Sequence, residues 1–164
     1  GLQAGKVAAT AKHFPGLGAA TLNTDHHAVT VRDTRLEPFQ NAIAAGVQLV
    51  MTSNASYPLL DGSDWPAVFS HTIVTGLLRD KLGFQGVVVT DALDAPTPAS
   101  TPHATRRAIE AGVDLLLYTS ASAADRGYAS LLADVTGSAS LRAKVEAASA
   151  RIQALKDWLG KSCS

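Results

Sequence analysis

Side chains capable of acid–base and nucleophilic chemistry occur at three places in the sequence. Lys12 and His13 come directly before a Phe-Pro-Gly turn, and Asp25 lies two residues before His27 in the loop that follows. Asp91 ends an apolar run of valines. A carboxylate near an imidazole orients it and raises its pKa, which suits general acid–base catalysis, and a strand-end carboxylate can attack an electrophilic carbon. These five residues are therefore candidates for an enzyme site.

Each of these residues also has an ordinary structural explanation, and other templates fit less well. Strand-end aspartates often cap the next loop, and loop histidines and lysines are usually solvated. Gly16-x-Gly18 lacks the third glycine of a dinucleotide fingerprint, and neither a G-x-S-x-G elbow nor a P-loop occurs. The histidines His13, His26 and His27 could bind a metal, but no helical H-x-x-x-H spacing supports a metal site.

The elements that would position these residues alternate between strands and helices. Short apolar runs predict strands over residues 6–13, 47–52, 86–91 and 113–118. Helical spacing predicts helices over residues 33–45, 70–82, 101–111, 123–135 and 141–159. Asp33 and Ser70 are the predicted caps of the first two helices. This alternation predicts an α/β fold with parallel strands, whose carboxyl ends gather polar residues at one edge.

Composition limits the kind of protein and the kind of partner. The chain has 164 residues, of which 46% are hydrophobic, and this suits one domain with a substantial core. Its 14 Lys and Arg balance 14 Asp and Glu, which argues against a nucleic-acid partner. The sequence has no apolar run of about 18 residues, so it predicts no membrane span. The single cysteine, Cys163, excludes an internal disulfide, and we interpret it as incidental because it lies in a polar tail.

The number of predicted units indicates an incomplete barrel. Four β/α units are half of an eight-unit (β/α)₈ barrel, which typically needs about 250 residues. We therefore expect residues 1–164 to form a single partial domain. A half barrel leaves two open strand edges, and such edges invite pairing with another chain.

Several motifs follow one another along about the whole chain. The most specific are Lys12-His13-Phe14-Pro15-Gly16 and the run Gly-Val-Val-Val-Thr-Asp-Ala-Leu over residues 86–93, and Asp25-x-His27 lies between them. Together with the segments 50–58, 74–84 and 111–117, they resemble glycoside hydrolase family 3. The branch they resemble is that of the β-N-acetylhexosaminidases of the peptidoglycan-recycling type.

The resemblance implies a fold and a reaction. The family fold is a TIM-type (β/α)₈ barrel, and this chain resembles its C-terminal half, about strands five to eight. The implied reaction is hydrolysis of terminal β-N-acetylglucosaminides, on cell-wall-derived glycans, with retention of configuration through a glycosyl-enzyme intermediate. No metal or organic cofactor is implied.

The resemblance also assigns catalytic roles. Asp91 matches the nucleophile, and His27 paired with Asp25 matches an acid/base carried on a mobile loop, with His26 as the alternative. After Asp91 the usual Met-containing segment is replaced by residues 94–98. We therefore expect this loop to differ in shape from that of the family.

Three further residues match the family's substrate-binding positions. Lys12 and His13 correspond to side chains that hold sugar hydroxyls, and Asn54 lies where a polar residue, commonly His, lines the sugar site. The loop that follows departs from the family pattern, since Leu17 and Ala19 stand where His and Asp are usual.

The sequence leaves alternatives open. The chain is expected to be a fragment of a larger enzyme, one half of a two-chain enzyme, or a unit of which two copies pair into a pseudo-barrel. A catalytically inactive half barrel that binds carbohydrate or serves a structural role is the alternative function. A phosphate-binding α/β enzyme fits less well, because residues 118–122 lack a glycine-rich cradle. The compartment is left open, since exported and cytoplasmic members of the family both exist.

Overall fold

The computed structural model describes residues 1–160 as a parallel sheet with helices packed against it. Within that range the sheet contains β1 (Thr10–Phe14), β2 (Leu49–Thr52) and β3 (Val87–Val89), in the order β1-β2-β3 with parallel neighbours. The predicted α/β class with parallel strands is confirmed. β1 begins four residues later than predicted. The prediction for Cys163 lies outside the described residues.

Helices of eight residues or more follow the strands, and each begins within four residues of its predicted start. In residues 1–160 they are α1 (Glu37–Ala44), α2 (Thr72–Lys81), α3 (Ala104–Ala111), α4 (Ala121–Thr136) and α5 (Ala139–Leu159). Shorter helical turns cover Leu2–Gly5, Pro58–Asp61, Ala67–Phe69 and Pro96–Ala99. No helix in this described part of the chain is long and apolar enough to cross a membrane.

The start of α1 corrects the sequence prediction. The helix predicted from Asp33 begins at Glu37, and Asp33 is not its cap. Proline has no N–H to donate and is tolerated in the first turn, where Pro38 lies, whereas a start at Asp33 would place this proline deeper in the helix. Ser70, the predicted cap of the second helix, does contact the first turn of α2, since its hydroxyl accepts the Ile73 N–H at 3.2 Å.

The strand predicted over residues 113–118 is the main correction to the fold. In the structure this segment forms an isolated parallel bridge to β3, with backbone hydrogen bonds from Leu115 to Val88 and from Thr90 to Leu115. Side chains occupy positions that a strand ladder would use: Asp114 Oδ2 accepts the Val88 N–H, and Thr90 Oγ1 accepts the Leu117 N–H, both at 2.8 Å. The segment therefore runs beside β3 without forming a regular ladder.

Packing in the core fixes the loop that follows β1. Phe14 is fully buried and meets Phe39 of α1 edge-on, with ring centroids 5.1 Å apart. Tyr57 is also fully buried, and its hydroxyl donates to the Gly16 carbonyl at 3.1 Å. Burial raises the pKa of Tyr57 to about 12, so this side chain remains a neutral donor. The loop after β1 is thereby tied to the segment after β2.

A buried ion cluster fastens the amino-terminal side of β3. Asp114 is 6% exposed; its Oδ2 accepts from Arg79 Nη2 at 2.6 Å and its Oδ1 from Arg151 Nε at 2.8 Å. Arg79 also donates to the carbonyls of Gly86 and Gly112. These contacts join α2 and α5 to the sheet, and they stabilise the end of the sheet away from the predicted site.

Candidate active site

The end of β1 carries two adjacent polar residues, of which His13 lies near the end of β3. Neighbouring residues of a regular strand point to opposite faces of the sheet. Here the register with β2 shifts between Ala11 and Phe14, so Lys12 and His13 lie in an irregular stretch; the peptide bond between them is cis. His13 Nε2 lies 3.9 Å from Asp91 Oδ2. The structure therefore brings His13 and Asp91 together at the carboxyl edge of the sheet.

His13 is the centre of a small electrostatic cluster. Burial lowers the pKa of His13 from its ordinary value of 6.5, the carboxylates of Asp91 and Asp25 oppose this shift, and the charge of Lys12 adds to it. His13 is consequently neutral near pH 7, where it can both donate and accept a hydrogen bond. Three of the predicted site residues, Asp91, Lys12 and Asp25, thus act electrostatically on His13.

The two carboxylate oxygens of Asp91 have different surroundings. The residue is 7% exposed at the end of β3, and its Oδ1 accepts the Ala92 N–H at 2.8 Å. Its Oδ2 faces His13, and their separation of 3.9 Å is too long for a direct hydrogen bond. One oxygen is therefore fixed by the backbone, while the other is directed toward the polar cluster.

Asn54 joins the end of β2 to the residue after Asp91. Its Nδ2 donates to the Ala92 carbonyl at 2.9 Å. The side chain is buried, with 2% exposure, and within residues 1–160 its Oδ1 has no hydrogen-bond partner. The structure thus couples Asn54 to the backbone beside Asp91.

The loop predicted to carry the acid/base is exposed. The Asp25 N–H donates to Asn23 Oδ1 at 2.9 Å, and the His27 N–H donates to the Asn23 carbonyl at 3.1 Å. The rings of His26 and His27 lie 6.5 Å apart. Among the described residues no hydrogen bond joins the side chains of Asp25 and His27, so this pairing stays a prediction.

Asp94 is a structural residue of this edge that the sequence did not identify as one. Its carboxylate accepts from the N–H and hydroxyl of Thr119 and from the Ser120 N–H, at 2.8 to 3.1 Å. Although burial raises the pKa of Asp94, these hydrogen bonds together lower it. The contacts fasten the loop after β3 to the loop that begins at Thr119. In the sequence, the feature that indicates them is an aspartate after one apolar run and a Thr-Ser pair after the next apolar run.

A carboxylate fixed at the end of a parallel strand, with a histidine 3.9 Å from one of its oxygens, suits an α/β enzyme that attacks an electrophilic carbon. Residues 1–155 match the family model described as the glycosyl hydrolase family 3 N terminal domain. The chain belongs to glycosyl hydrolase family 3.

Individual relatives agree with this assignment. The chain is 41% identical over 123 residues to an uncharacterized secreted glycosyl hydrolase of Arthroderma benhamiae, an alignment that covers 68% of this chain and 35% of the relative. It is similar to the solved β-N-acetylhexosaminidase from Beutenbergia cavernae, with a TM-score of 0.85 and 40% identity over 92% of this chain and 47% of that one. The family 3 β-N-acetylglucosaminidase from Paenibacillus sp. str. FPU-7 gives a TM-score of 0.88 and 32% identity, over 99% of this chain and 33% of that one. The chain spans about a third of the length of the curated relatives it matches.

Proposed function

We propose that this chain carries the nucleophile of a retaining β-N-acetylhexosaminidase that acts on terminal β-N-acetylglucosaminides, with cell-wall-derived glycans as the substrate class. The observation that carries the proposal is the placement of Asp91, with one carboxylate oxygen held by the backbone and the other directed toward His13. The similarity to a solved β-N-acetylhexosaminidase supports the choice of sugar.

The proposed reaction has two steps at one carboxylate. Asp91 attacks the anomeric carbon and forms a glycosyl ester while the leaving oxygen receives a proton, and water then attacks the ester and releases the sugar and Asp91. His27, oriented by Asp25, gives the first proton and takes one from the water. Lys12 and neutral His13 bind the sugar hydroxyls. Two inversions at the same carbon give a product with retained configuration.

Trapping of the intermediate tests this proposal. The full-length protein is incubated with an activated 5-fluoro N-acetylglucosaminyl fluoride, and the labelled peptide is identified by mass spectrometry. We expect the label on Asp91, and we expect NMR to show the β-anomer as the first product from a nitrophenyl β-N-acetylglucosaminide. A label on another residue, or the α-anomer as the first product, would contradict the mechanism.

The role of His27 is testable through the leaving group. His27→Ala should slow substrates with sugar leaving groups by about 10²- to 10³-fold and dinitrophenyl substrates by less than about 10-fold, because only the poor leaving groups need a proton. His26→Ala is the matched control on the same exposed loop, and it should change neither rate by more than about 2-fold. An equal loss on both substrates would make His27 structural, and a leaving-group-dependent loss in the control would assign the acid/base to His26.

We also propose that further β/α units complete the barrel. β1 stands first in the sheet order, and at the other side Leu115 and Leu117 are 43% and 37% exposed. Open edges and exposed apolar side chains favour pairing with additional strands. The greater length of the relatives supports units of the same polypeptide. Intact mass and light scattering test this: one chain well above 17.0 kDa supports it, whereas a dimer of 17.0 kDa chains would show pairing of two copies.

A further inference from the structure

Asn54 lies opposite Ala92 where β2 and β3 have both ended. The parallel register pairs Met51 with Val89. Three residues after this pair, beyond the ends of both strands, Asn54 lies opposite Ala92. Its Nδ2 donates to the Ala92 carbonyl at 2.9 Å. This contact joins the end of β2 to the residue that directly follows Asp91.

Ala92 is held at both of its backbone polar groups. Its N–H donates to Asp91 Oδ1 at 2.8 Å. Its carbonyl accepts from Asn54 and, at 3.3 Å, from the Ala95 N–H. Because Ala95 belongs to the same loop, the bond from Asn54 is the one that ties Ala92 to the neighbouring strand. Fixing Ala92 fixes the N–H that holds Oδ1, and this sets the rotation of the carboxylate.

The burial of Asn54 argues against direct contact with a sugar. The residue is 2% exposed, and its Oδ1 is buried and lacks a hydrogen-bond partner within residues 1–160. A sugar hydroxyl can bond only to an atom that it can reach. The family resemblance places Asn54 at the sugar site, but its contacts point inward, to the backbone beside Asp91.

We propose that Asn54 is a positioning residue that acts on Asp91 through Ala92 and leaves Oδ2 as the oxygen that attacks the anomeric carbon. The inference rests on the proposed glycosidase function. Misplacing a reacting group by about 1 Å can cost about 10²-fold in rate. The bond to the Ala92 carbonyl uses the Asn54 amide as the donor. A histidine could supply the same donor, since its Nδ1 occupies the place in the side chain that Nδ2 has in asparagine.

Kinetics of the full-length protein test this role. Asn54→Leu keeps the side-chain size and removes the donor, and it should lower kcat on nitrophenyl N-acetylglucosaminide about 100-fold with KM within about 3-fold. Asn54→His should restore kcat to within about 5-fold of the wild type. Thr105→Val is the matched control, because it removes a buried side-chain hydrogen bond, to Tyr118 at 3.0 Å, and it should change kcat by less than about 2-fold. If Asn54→Leu does not fold, Asn54→Ala should show the same loss of kcat.

Several results would overturn the proposal. A raised KM at unchanged kcat would make Asn54 a sugar contact, and failure of Asn54→His to restore kcat would remove the donor role. Crystal structures of the wild type and Asn54→Leu provide a readout that needs no turnover. We expect the Asp91 carboxylate to leave the Ala92 N–H in the variant, and an unmoved carboxylate would refute the inference. A wild-type protein that hydrolyses no N-acetylglucosaminide would refute the proposed function, while the crystal structures would still decide the positioning role.

Discussion

Two aspartates beside β3 sit in contrasting surroundings. Asp114 is 6% exposed, and its oxygens accept bonds from Arg79, Arg151 and the Val88 N–H. Asp91 is 7% exposed, and its short contacts are different: Oδ1 accepts the adjacent N–H, while Oδ2 lies 3.9 Å from His13. The Asp114 side chain is 0% exposed and the Asp91 side chain is 10% exposed, and only Asp114 is balanced by close guanidinium groups.

The difference supports the proposal that Asp91 is the reactive carboxylate and that Asp114 is a structural one. A buried charge is stable when it is paired and hydrogen-bonded, and it then has little remaining capacity to react. A carboxylate with one fixed oxygen and one oxygen at van der Waals range of its neighbour keeps a lone pair for an incoming carbon. The proposed role of Asp91 therefore rests on the pattern of partners around each carboxylate oxygen, and burial alone does not support it.

The largest expected effect comes from Asp91. Asp91→Asn should lower kcat/KM for nitrophenyl N-acetylglucosaminide about 10⁴-fold, because the amide is a poor nucleophile. The free energy of unfolding should stay within about 1 kcal/mol of the wild type or increase, since functional groups are often held at a cost to stability. Steady-state kinetics and urea unfolding measure both. If Asp91→Asn retained turnover, or lost much of its stability, Asp91 would no longer differ from Asp114 as a catalytic residue from a structural one.

Asp114 should show the opposite behaviour. Asp114→Asn leaves Arg79 and Arg151 without their counter-charge and should lower the free energy of unfolding by about 3 kcal/mol. At a temperature where the variant is folded, kcat should remain within about 3-fold of the wild type. Urea unfolding followed by circular dichroism, with kinetics on the same samples, tests this. A loss of kcat in a fully folded variant would assign Asp114 a part in catalysis.

The smallest expected effect is the pH dependence of stability at His13. Its pKa in the folded chain is lowered, chiefly by burial, so the unfolded chain binds a proton more readily as the pH falls below 6.5. The free energy of unfolding should therefore decrease with falling pH in this range. His13→Asn should decrease less over the same range, because it lacks the titrating group. Unfolding curves at several pH values measure this difference. If the free energy of unfolding changed with pH equally in the wild type and in His13→Asn, the prediction would be refuted.

The sequence predicted the fold class and most element positions, because apolar periodicity and capping depend on local chemistry. It was wrong about Asp33 as a cap because Pro38 moves the start of α1. It was wrong about a regular strand over residues 113–118 because the side chains of Asp114 and Thr90 take backbone donors that a ladder would use. Such side-chain competition depends on partners distant in the sequence.

The candidate site was predicted in part. The motifs identified Asp91 and His13, and the structure places them 3.9 Å apart. They did not identify Asp94, whose hydrogen bonds reach Thr119 across 25 positions of the chain. The pairing of Asp25 with His27 remains a prediction, because both belong to an exposed loop and, among the described residues, no hydrogen bond joins their side chains.

The sequence by itself determined the alternation of strands and helices, the neutral charge balance and the residue types at the strand ends. These depend on local spacing and composition, which need no partner. Only the tertiary structure decided which aspartate is balanced by arginines, which oxygen of Asp91 is held, and that Asn54 faces inward. Those outcomes depend on strand register and on contacts between residues far apart in the chain, because burial makes each buried polar group compete for a limited set of partners.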